Sequence, residues 1–240
     1  MTLKLYADGA DMDGIKKAAA DLDISGFTTN PTLMKQAGIT DYEGFAKEAI
    51  TYLKANRPET CLSLEVFADE PAEILRQARL IDSWGKDAGY SVYVKIPVMH
   101  IDGTSTAPII NQLSKEGIKL NVTAVFTEDQ VSEVIDALND VTPAIVSIFA
   151  GRINDAGYDA VDMIDGIVTE YYKRENIEFL WASSRQAFSY VEAERCSVDI
   201  ITMTPDLIKK VKGFGKDLTQ FSQETCQMFF NDAAASGFSI

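Results

Sequence analysis

Eight times along this chain, a short apolar segment rich in β-branched and aromatic residues gives way to a longer amphipathic stretch. The strand-like segments are 3–8, 24–28, 62–67, 91–96, 119–126, 144–149, 177–182 and 198–203. Helical periodicity marks 41–56, 71–87, 106–116, 128–138, 159–174 and 205–212, while 11–20 and 184–194 fill the first and last gaps. Eight strand–helix units in 240 residues fit a closed (β/α)8 barrel, since each parallel strand needs a crossover helix to return the chain. A doubly wound open sheet is the alternative. It usually opens on a Gly-rich turn, whereas Asp8-Gly9-Ala10-Asp11 puts acids where a phosphate-binding turn would present bare N–H groups. With no low-complexity linker, the reading is one barrel domain over 1–240. A helix at 217–235 carries Leu218, Phe221, Thr225, Met228 and Phe229 at spacings that cover apolar surface, on the barrel or on a neighbour.

Composition removes several classes of function. Asp and Glu number 36 against 22 Lys and Arg, a net charge of −14. Such a surface repels phosphate backbones and anionic lipid, so neither nucleic acid nor membrane is an expected partner. No apolar run reaches the ~18 residues of a spanning helix. Asp8, Asp11 and Asp13 interrupt the N-terminus, unlike a signal peptide. Cys61, Cys196 and Cys226 are odd in number and widely spaced, which favours a reducing cytoplasm over a disulfide framework. His100 is the single histidine, so acid–base chemistry falls to carboxylates, Lys or Tyr.

Period-two alternation then sorts the strand residues by face. Val92, Val94 and Ile96 oppose Tyr93 and Lys95. Leu62, Leu64 and Val66 oppose Ser63 and Glu65. Leu120, Val122 and Ala124 oppose Asn121 and Thr123, and Val146 and Ile148 oppose Ser147 and Phe149. In 177–185, Leu180 and Ala182 oppose Trp181, Ser183 and Arg185. Leu5 and Ala7 oppose Tyr6 and Asp8, and Thr28 shares a face with Asn30. If the apolar faces meet the helices, Asp8, Thr28, Asn30, Glu65, Lys95, Asn121, Thr123, Ser147, Ser183 and Arg185 converge on the axis. Their place is its C-terminal mouth, where barrel active sites lie.

Lys95 is the most informative of these. A lysine among Val and Ile is either solvated on an edge or buried, and burial lowers an amine's pKa. A neutral amine attacks a ketone to give an iminium, an electron sink that lets a neighbouring C–C bond break. Glu65 and the Thr123 hydroxyl suit the handling of the water lost and regained. Asp8 suits a proton transfer at the cleaved bond, or alternatively a helix cap. Arg152 and Arg185 at one mouth suit an anion clamp in so acidic a chain.

Five segments together resemble the transaldolases: Gly26-Phe27-Thr28-Thr29-Asn30-Pro31, Tyr93-Val94-Lys95-Ile96-Pro97, Gly117-Ile118-Lys119-Leu120-Asn121-Val122-Thr123, Ser147-Ile148-Phe149-Ala150-Gly151-Arg152 and Ala182-Ser183-Ser184-Arg185. They come in family order and span most of the chain, in the length of the family's shorter branch. The resemblance implies a Schiff-base lysine at Lys95, an acid–base residue at Asp8, and a water-orienting pair at Glu65 and Thr123. It implies substrate contacts at Thr28, Asn30, Asn121 and Ser147, a pocket-closing ring at Phe149, and a phosphate site at Arg152, Ser183 and Arg185. The implied reaction moves a dihydroxyacetone unit from a ketose phosphate, such as sedoheptulose 7-phosphate or fructose 6-phosphate, to an aldose phosphate. No metal or other cofactor is implied. A homo-oligomer is, as rings in shorter members and dimers in longer ones.

A sister group that cleaves fructose 6-phosphate without transfer carries Tyr at the position of Phe149 and Gln at that of Glu65. This chain has the transferring pattern at both. It departs from the family at Gly9, at Gln186 and in the longer segment 98–106 after the lysine strand. That segment is expected to border the site, which leaves substrate preference open, and His100 within it reads as a solvated loop residue rather than a substrate contact. A barrel that binds without reacting would have lost residues from the Lys95, Glu65, Asp8 and Thr123 set, and all four are present.

Overall fold

Parallel strands whose outer faces carry Val, Ile and Leu can bury both sides by closing on themselves inside a ring of helices. The protein does this in a computed structural model that describes residues 2–21 and 23–237. Met1, Leu22 and the last three residues lie outside that description. The elements run β1 (Lys4–Asp8), α1 (Met12–Ala19), β2 (Ile24–Thr28), α2 (Pro31–Gln36), α3 (Tyr42–Asn56), β3 (Cys61–Glu65), α4 (Pro71–Ala88), β4 (Ser91–Pro97), α5 (Ala107–Lys115) and β5 (Leu120–Val125). They continue α6 (Glu128–Ala137), β6 (Ala144–Ile148), α7 (Ala150–Asp155), α8 (Ala160–Tyr171), β7 (Ile177–Trp181), α9 (Ser189–Arg195), β8 (Ile200–Met203), α10 (Pro205–Val211) and α11 (Leu218–Ser236). The eight strands pair in sequence order, and β8 closes on β1, all parallel. This is the (β/α)8 barrel expected from the alternation.

The crossover helices begin where local chemistry says they should. Asp11, Asp41 and Asp217 cap α1, α3 and α11 by accepting a backbone N–H, and Thr127 forms a capping box with Gln130 on α6. Pro31, Pro71 and Pro205 open α2, α4 and α10, where the missing N–H costs nothing. Two helices escaped the periodicity. At six residues each, α2 and α7 are too short to show an apolar stripe. In the other direction, 184–188 precedes the helix expected to start at 184, and α9 begins only at Ser189.

The core has two layers. Outside the barrel, Leu62, Leu64, Val92, Val94, Ile96, Val122, Val146 and Ile148 pack against the helices. Inside it, Tyr6, Cys61, Tyr93, Ile145, Leu180, Ala182 and Ile200 form a separate cluster that plugs the axis, with Phe149 resting on top. Gly26 makes room for the plug, because a Cβ there would lie 2.6 Å from the Tyr6 ring. One strand reverses its expected parity. On β7, Leu180 and Ala182 face the axis, while Trp181 is fully buried in the outer layer. The bulkier ring takes the wider space between sheet and helices, and the smaller residues fit the crowded axis.

Arg57, at the end of α3, ties the first turns together. Its guanidinium donates to the carbonyls of Ala19, Asp21 and Ile24, and the residue is only 5% exposed. The last helix contrasts with this. No residue of α11 is buried, and Leu218, Phe221, Met228, Phe229 and Phe230 all stand open to solvent. None of the helices among the described residues is long and apolar enough to cross a membrane.

An Arg57→Met variant keeps the buried stem but removes the guanidinium's donations to these carbonyls, leaving that of Asp21 with the Ile24 N–H at 3.2 Å. It is expected to lose about 3 kcal/mol of stability, read as a lower urea midpoint at unchanged m-value. A midpoint shift below about 0.5 kcal/mol would show that the carbonyls find other partners.

Candidate active site

The strand registers bring the polar residues to one level. Asp8 pairs with Thr28 across β1 and β2, Glu65 with Lys95 across β3 and β4, and Lys95 with Asn121 across β4 and β5. Asn121 is the second residue of β5, while Asp8, Thr28, Glu65 and Lys95 lie at or near the C-terminal ends of their strands, above the apolar plug. They surround a cavity of about 470 Å³ at the barrel mouth. Its wall includes Asp8, Thr28, Asn30, Glu65, Lys95, Thr123, Ser147, Phe149, Arg152, Ser183 and Arg185.

Lys95 is buried at 6% exposure. Its Nζ donates to the Thr29 carbonyl at 2.8 Å and lies 3.0 Å from Glu65 Oε2. Two of its N–H directions are thus held, and the amine stands at the cavity wall. The Glu65 carbonyl in turn accepts a hydrogen bond from Tyr42 Oη at 2.9 Å. Across the cavity, Asp8 is half-buried and accepts from Thr28 Oγ1 at 2.8 Å. Burial, and secondarily the Glu65 carboxylate, push the Asp8 carboxyl above its usual range. The Lys95 charge and the Thr28 hydrogen bond pull the other way.

Asn121, one of the expected site residues, sits behind the wall. It is fully buried, accepts from Ser147 Oγ at 2.6 Å, and donates to Ser63 Oγ at 3.1 Å. Its contact with the cavity therefore runs through Ser147. Thr123 is the opposite case. Its Oγ1 is buried at the cavity wall with no hydrogen-bond partner among the described residues. A buried hydroxyl without a partner is costly, which marks a place where water or substrate would bond. Asn30 lines the cavity too, but its Oδ1 already caps α2 through the Leu33 N–H at 2.9 Å. Only its amide NH2 is left to face a ligand.

Near the mouth the backbone itself is strained, within β5 and just after β7. Ala124 has φ +59° where β5 and β6 lose register, and Ser183 has φ +62° just after β7. Ser183 and Arg185 therefore reach the mouth through this turn, despite the reversed parity of β7. Gly151 permits the turn, since a Cβ there would lie 1.8 Å from the Ser183 carbonyl oxygen. The two arginines differ. Arg185 Nε is paired with Asp155 at 2.8 Å, while the Arg152 guanidinium lies 5.4 Å over the Phe149 ring with no carboxylate partner among the described residues.

The segment 98–106 does not border the site as expected. It folds back as a tight hairpin, with Met99 bridged to Ser105 and His100 N–H bonded to Thr104. His100 Nδ1 lies 2.8 Å from the Asp69 carbonyl, and no residue of the hairpin lines the cavity. Thr202, Ser184, Thr204 and Gln36 line it without having stood out in the sequence. Thr202 was hidden inside the apolar run Ile200-Ile201-Thr202-Met203, where Thr reads as an ordinary strand former.

The mouth of this closed parallel barrel holds a buried lysine and two carboxylates, and similarity to known proteins indicates an enzyme of the aldolase or transaldolase type. The model of the family described as Transaldolase/Fructose-6-phosphate aldolase matches residues 5–240. A protein from Dehalococcoides mccartyi named "Probable transaldolase" is 36% identical over 203 residues, covering 84% of this chain and 86% of that one. Another so named, from Sphingopyxis alaskensis, is 29% identical over 239 residues, 99% of this chain and all of that one. A structure titled "Native KDPGal structure" superposes with TM-score 0.56 at 10% identity, covering 99% and 97% of the two chains. The crystal structure of KGPDC from Streptococcus mutans gives 0.53 at 12%, over 85% and 88%. At such identities these two show the shared fold alone. The chain belongs to the transaldolase/fructose-6-phosphate aldolase family.

Asp8 offers a test of this electrostatic arrangement. Its folded-state pKa is raised, so between the unfolded and folded values the native state holds the extra proton and stability falls as pH rises. The cost is present in full above the folded value. Asp8→Asn is therefore expected to melt higher than the native protein at pH 7. The gain should vanish below about pH 3, where both states of Asp8 are protonated. A variant that melts lower at pH 7 would show instead that the carboxylate stabilises the fold.

Proposed function

We propose that the protein is a transaldolase that carries a dihydroxyacetone unit on Lys95. The observation that supports this best is the pairing of a buried Lys95 amine with Glu65, facing Asp8 across one cavity. In its neutral form Lys95 Nζ attacks the C2 carbonyl of a ketose phosphate, and loss of water gives the iminium. Glu65 and the unpartnered Thr123 hydroxyl hold that water. Asp8 takes the proton of the C4 hydroxyl, the C3–C4 bond breaks, and its electron pair moves into the iminium to leave an enamine. An aldose phosphate departs. An acceptor aldehyde then meets the enamine, Asp8 returns the proton, and water releases the new ketose.

The distal phosphate would lie against Arg152, Ser183 and Arg185, with Thr28, Asn30 and Ser147 around the substrate hydroxyls. Asn121 supports Ser147 from behind. Sugar phosphates are thus the expected ligands, and the reading needs no metal or cofactor. Sedoheptulose 7-phosphate and fructose 6-phosphate are the first donors to test.

Cleavage without transfer is the second reading, since the family description pairs both activities. Phe149 favours transfer. Its ring lies on the cavity wall and has no proton to give the enamine. The intermediate should therefore wait for an aldehyde.

The exposed apolar side chains of α11 support a homo-oligomer in which this helix covers a neighbouring copy. The unpaired Cys61, Cys196 and Cys226 are in keeping with a reducing cytoplasm.

The reading predicts that release of aldose phosphate from fructose 6-phosphate stops near one equivalent per site and continues only when an acceptor aldose phosphate is added. Phe149→Tyr should raise acceptor-independent turnover. Arg185→Ala should slow phosphorylated donors by at least about tenfold and hardly affect unphosphorylated ones. Steady turnover of the native protein without acceptor would decide for the plain aldolase. A panel of other ketoses run beside it tests for an unusual sugar.

A further inference from the structure

Asp8 does not act alone. Thr28 Oγ1 lies 2.8 Å from Asp8 Oδ1 and 2.6 Å from Thr202 Oγ1. The three residues come from β1, β2 and β8, adjacent strands around the barrel. Thr28 is 3% exposed and Thr202 7%, so bulk water does not compete well for these bonds. A hydroxyl has one proton. If Thr28 gives its proton to the Asp8 carboxylate, Thr202 must donate to Thr28. The bonds then run in one direction, Thr202 to Thr28 to Asp8. When Asp8 is protonated it becomes a donor, and the whole chain can reverse, with Thr28 donating to Thr202. The direction of two hydroxyls thus follows the protonation of one carboxyl.

We propose that Thr202 is a positioning residue for Asp8, acting through Thr28: it holds the Thr28 hydroxyl aimed at the carboxylate and strengthens that bond when Asp8 is ionised. This rests on the transaldolase reading for its consequence in catalysis, and on the geometry alone for its effect on Asp8. The physical reason is polarisation. A hydroxyl that accepts a hydrogen bond becomes a better donor, and the gain is larger toward an anion than toward a neutral acid. Loss of Thr202 therefore costs the ionised form of Asp8 more than the protonated form. The other ionisable groups that face Asp8 are Lys95 from β4 and Glu65 from β3. The side-chain and carbonyl bonds of Thr202 go to Thr28 and Ser184, and the Lys95–Glu65 pair is held apart from them.

The site of Thr202 also explains why it is threonine. Its carbonyl accepts from Ser184 Oγ at 2.9 Å, which fixes the end of β8 against the turn after β7. Its hydroxyl points to Thr28 from the cavity wall. Valine would fill the same volume and lose only the hydroxyl. Serine would keep the hydroxyl and lose the methyl group.

The test pairs Thr202→Val with Thr202→Ser. In the protein without substrate, the carboxyl titration of Asp8 is followed by carbon NMR and assigned with Asp8→Asn. Thr202→Val should move the Asp8 midpoint upward, and Thr202→Ser should return it toward the native value. In turnover, Thr202→Val should lower kcat about fivefold or more and move the acidic limb of the pH–rate profile upward, with little change in KM. An unshifted Asp8 midpoint in a folded Thr202→Val protein would overturn the proposal. So would equal impairment of Thr202→Ser and Thr202→Val, which would mean that the methyl group and packing matter rather than the hydroxyl. If the native protein cleaves no ketose phosphate, the transaldolase reading fails, while the titration still decides the role of Thr202.

Discussion

The amine of Lys95 sits buried near the axis of this barrel, and the site is arranged around its accommodation. Burying a lysine on the inner face above the apolar plug would be unfavourable without partners. Glu65 supplies the opposite charge from the next strand, and the Thr29 carbonyl supplies a fixed acceptor. Parallel pairing in register makes this work, because Glu65 and Lys95 are directly opposed on β3 and β4. The same pairing puts a second carboxylate in the neighbourhood. Asp8 meets both the favourable field of Lys95 and the unfavourable field of Glu65. One amine beside two carboxyl groups suits a site that moves protons, since the groups share one field.

The layering of the barrel separates stability from chemistry. The plug of Tyr6, Cys61, Tyr93, Ile145, Leu180 and Ile200 gives the cavity a largely apolar floor. Burial raises the Cys61 thiol to about 11, and its Sγ–H bonds to Tyr6 Oη at 3.2 Å, so it is held as an inert part of the packing. Above that floor the backbone departs from regular strand at Ala124 and Ser183. Such conformations cost free energy in non-glycine residues and persist where the surroundings impose them. Here they break the register of β5 with β6 and turn the chain after β7, where Thr123, Ser183 and Arg185 stand around one opening.

Much of this was legible in the sequence because barrels obey simple periodicities. Alternation of period two put Lys95, Glu65, Asp8, Thr123 and Ser147 on the inner face, and the structure places them there. The same rule failed on β7, where Leu180 and Trp181 are both apolar and only their sizes distinguish inside from outside. It could not see that Asn121 stands one layer behind Ser147, since depth is a property of register between strands. Thr202 was missed because a threonine in an apolar strand carries no signal until Thr28 is found beside it. The hairpin at 98–106 was placed by its position after β4, yet its internal bonds fold it away from the mouth. The short α2 and α7 have no periodicity to read.

The central claim is that Lys95 forms the covalent bond to substrate, and trapping it is the most direct measurement. The native protein and Lys95→Met are incubated with fructose 6-phosphate and borohydride, and intact mass is recorded. Reduction would convert an imine at Lys95 to a stable amine. The account predicts a gain the size of a reduced dihydroxyacetone unit on the native protein, and no gain on Lys95→Met. An equal gain on both would place the reactive amine elsewhere. Turnover of the donor by the native protein with no trapped mass would contradict Schiff-base chemistry in this barrel.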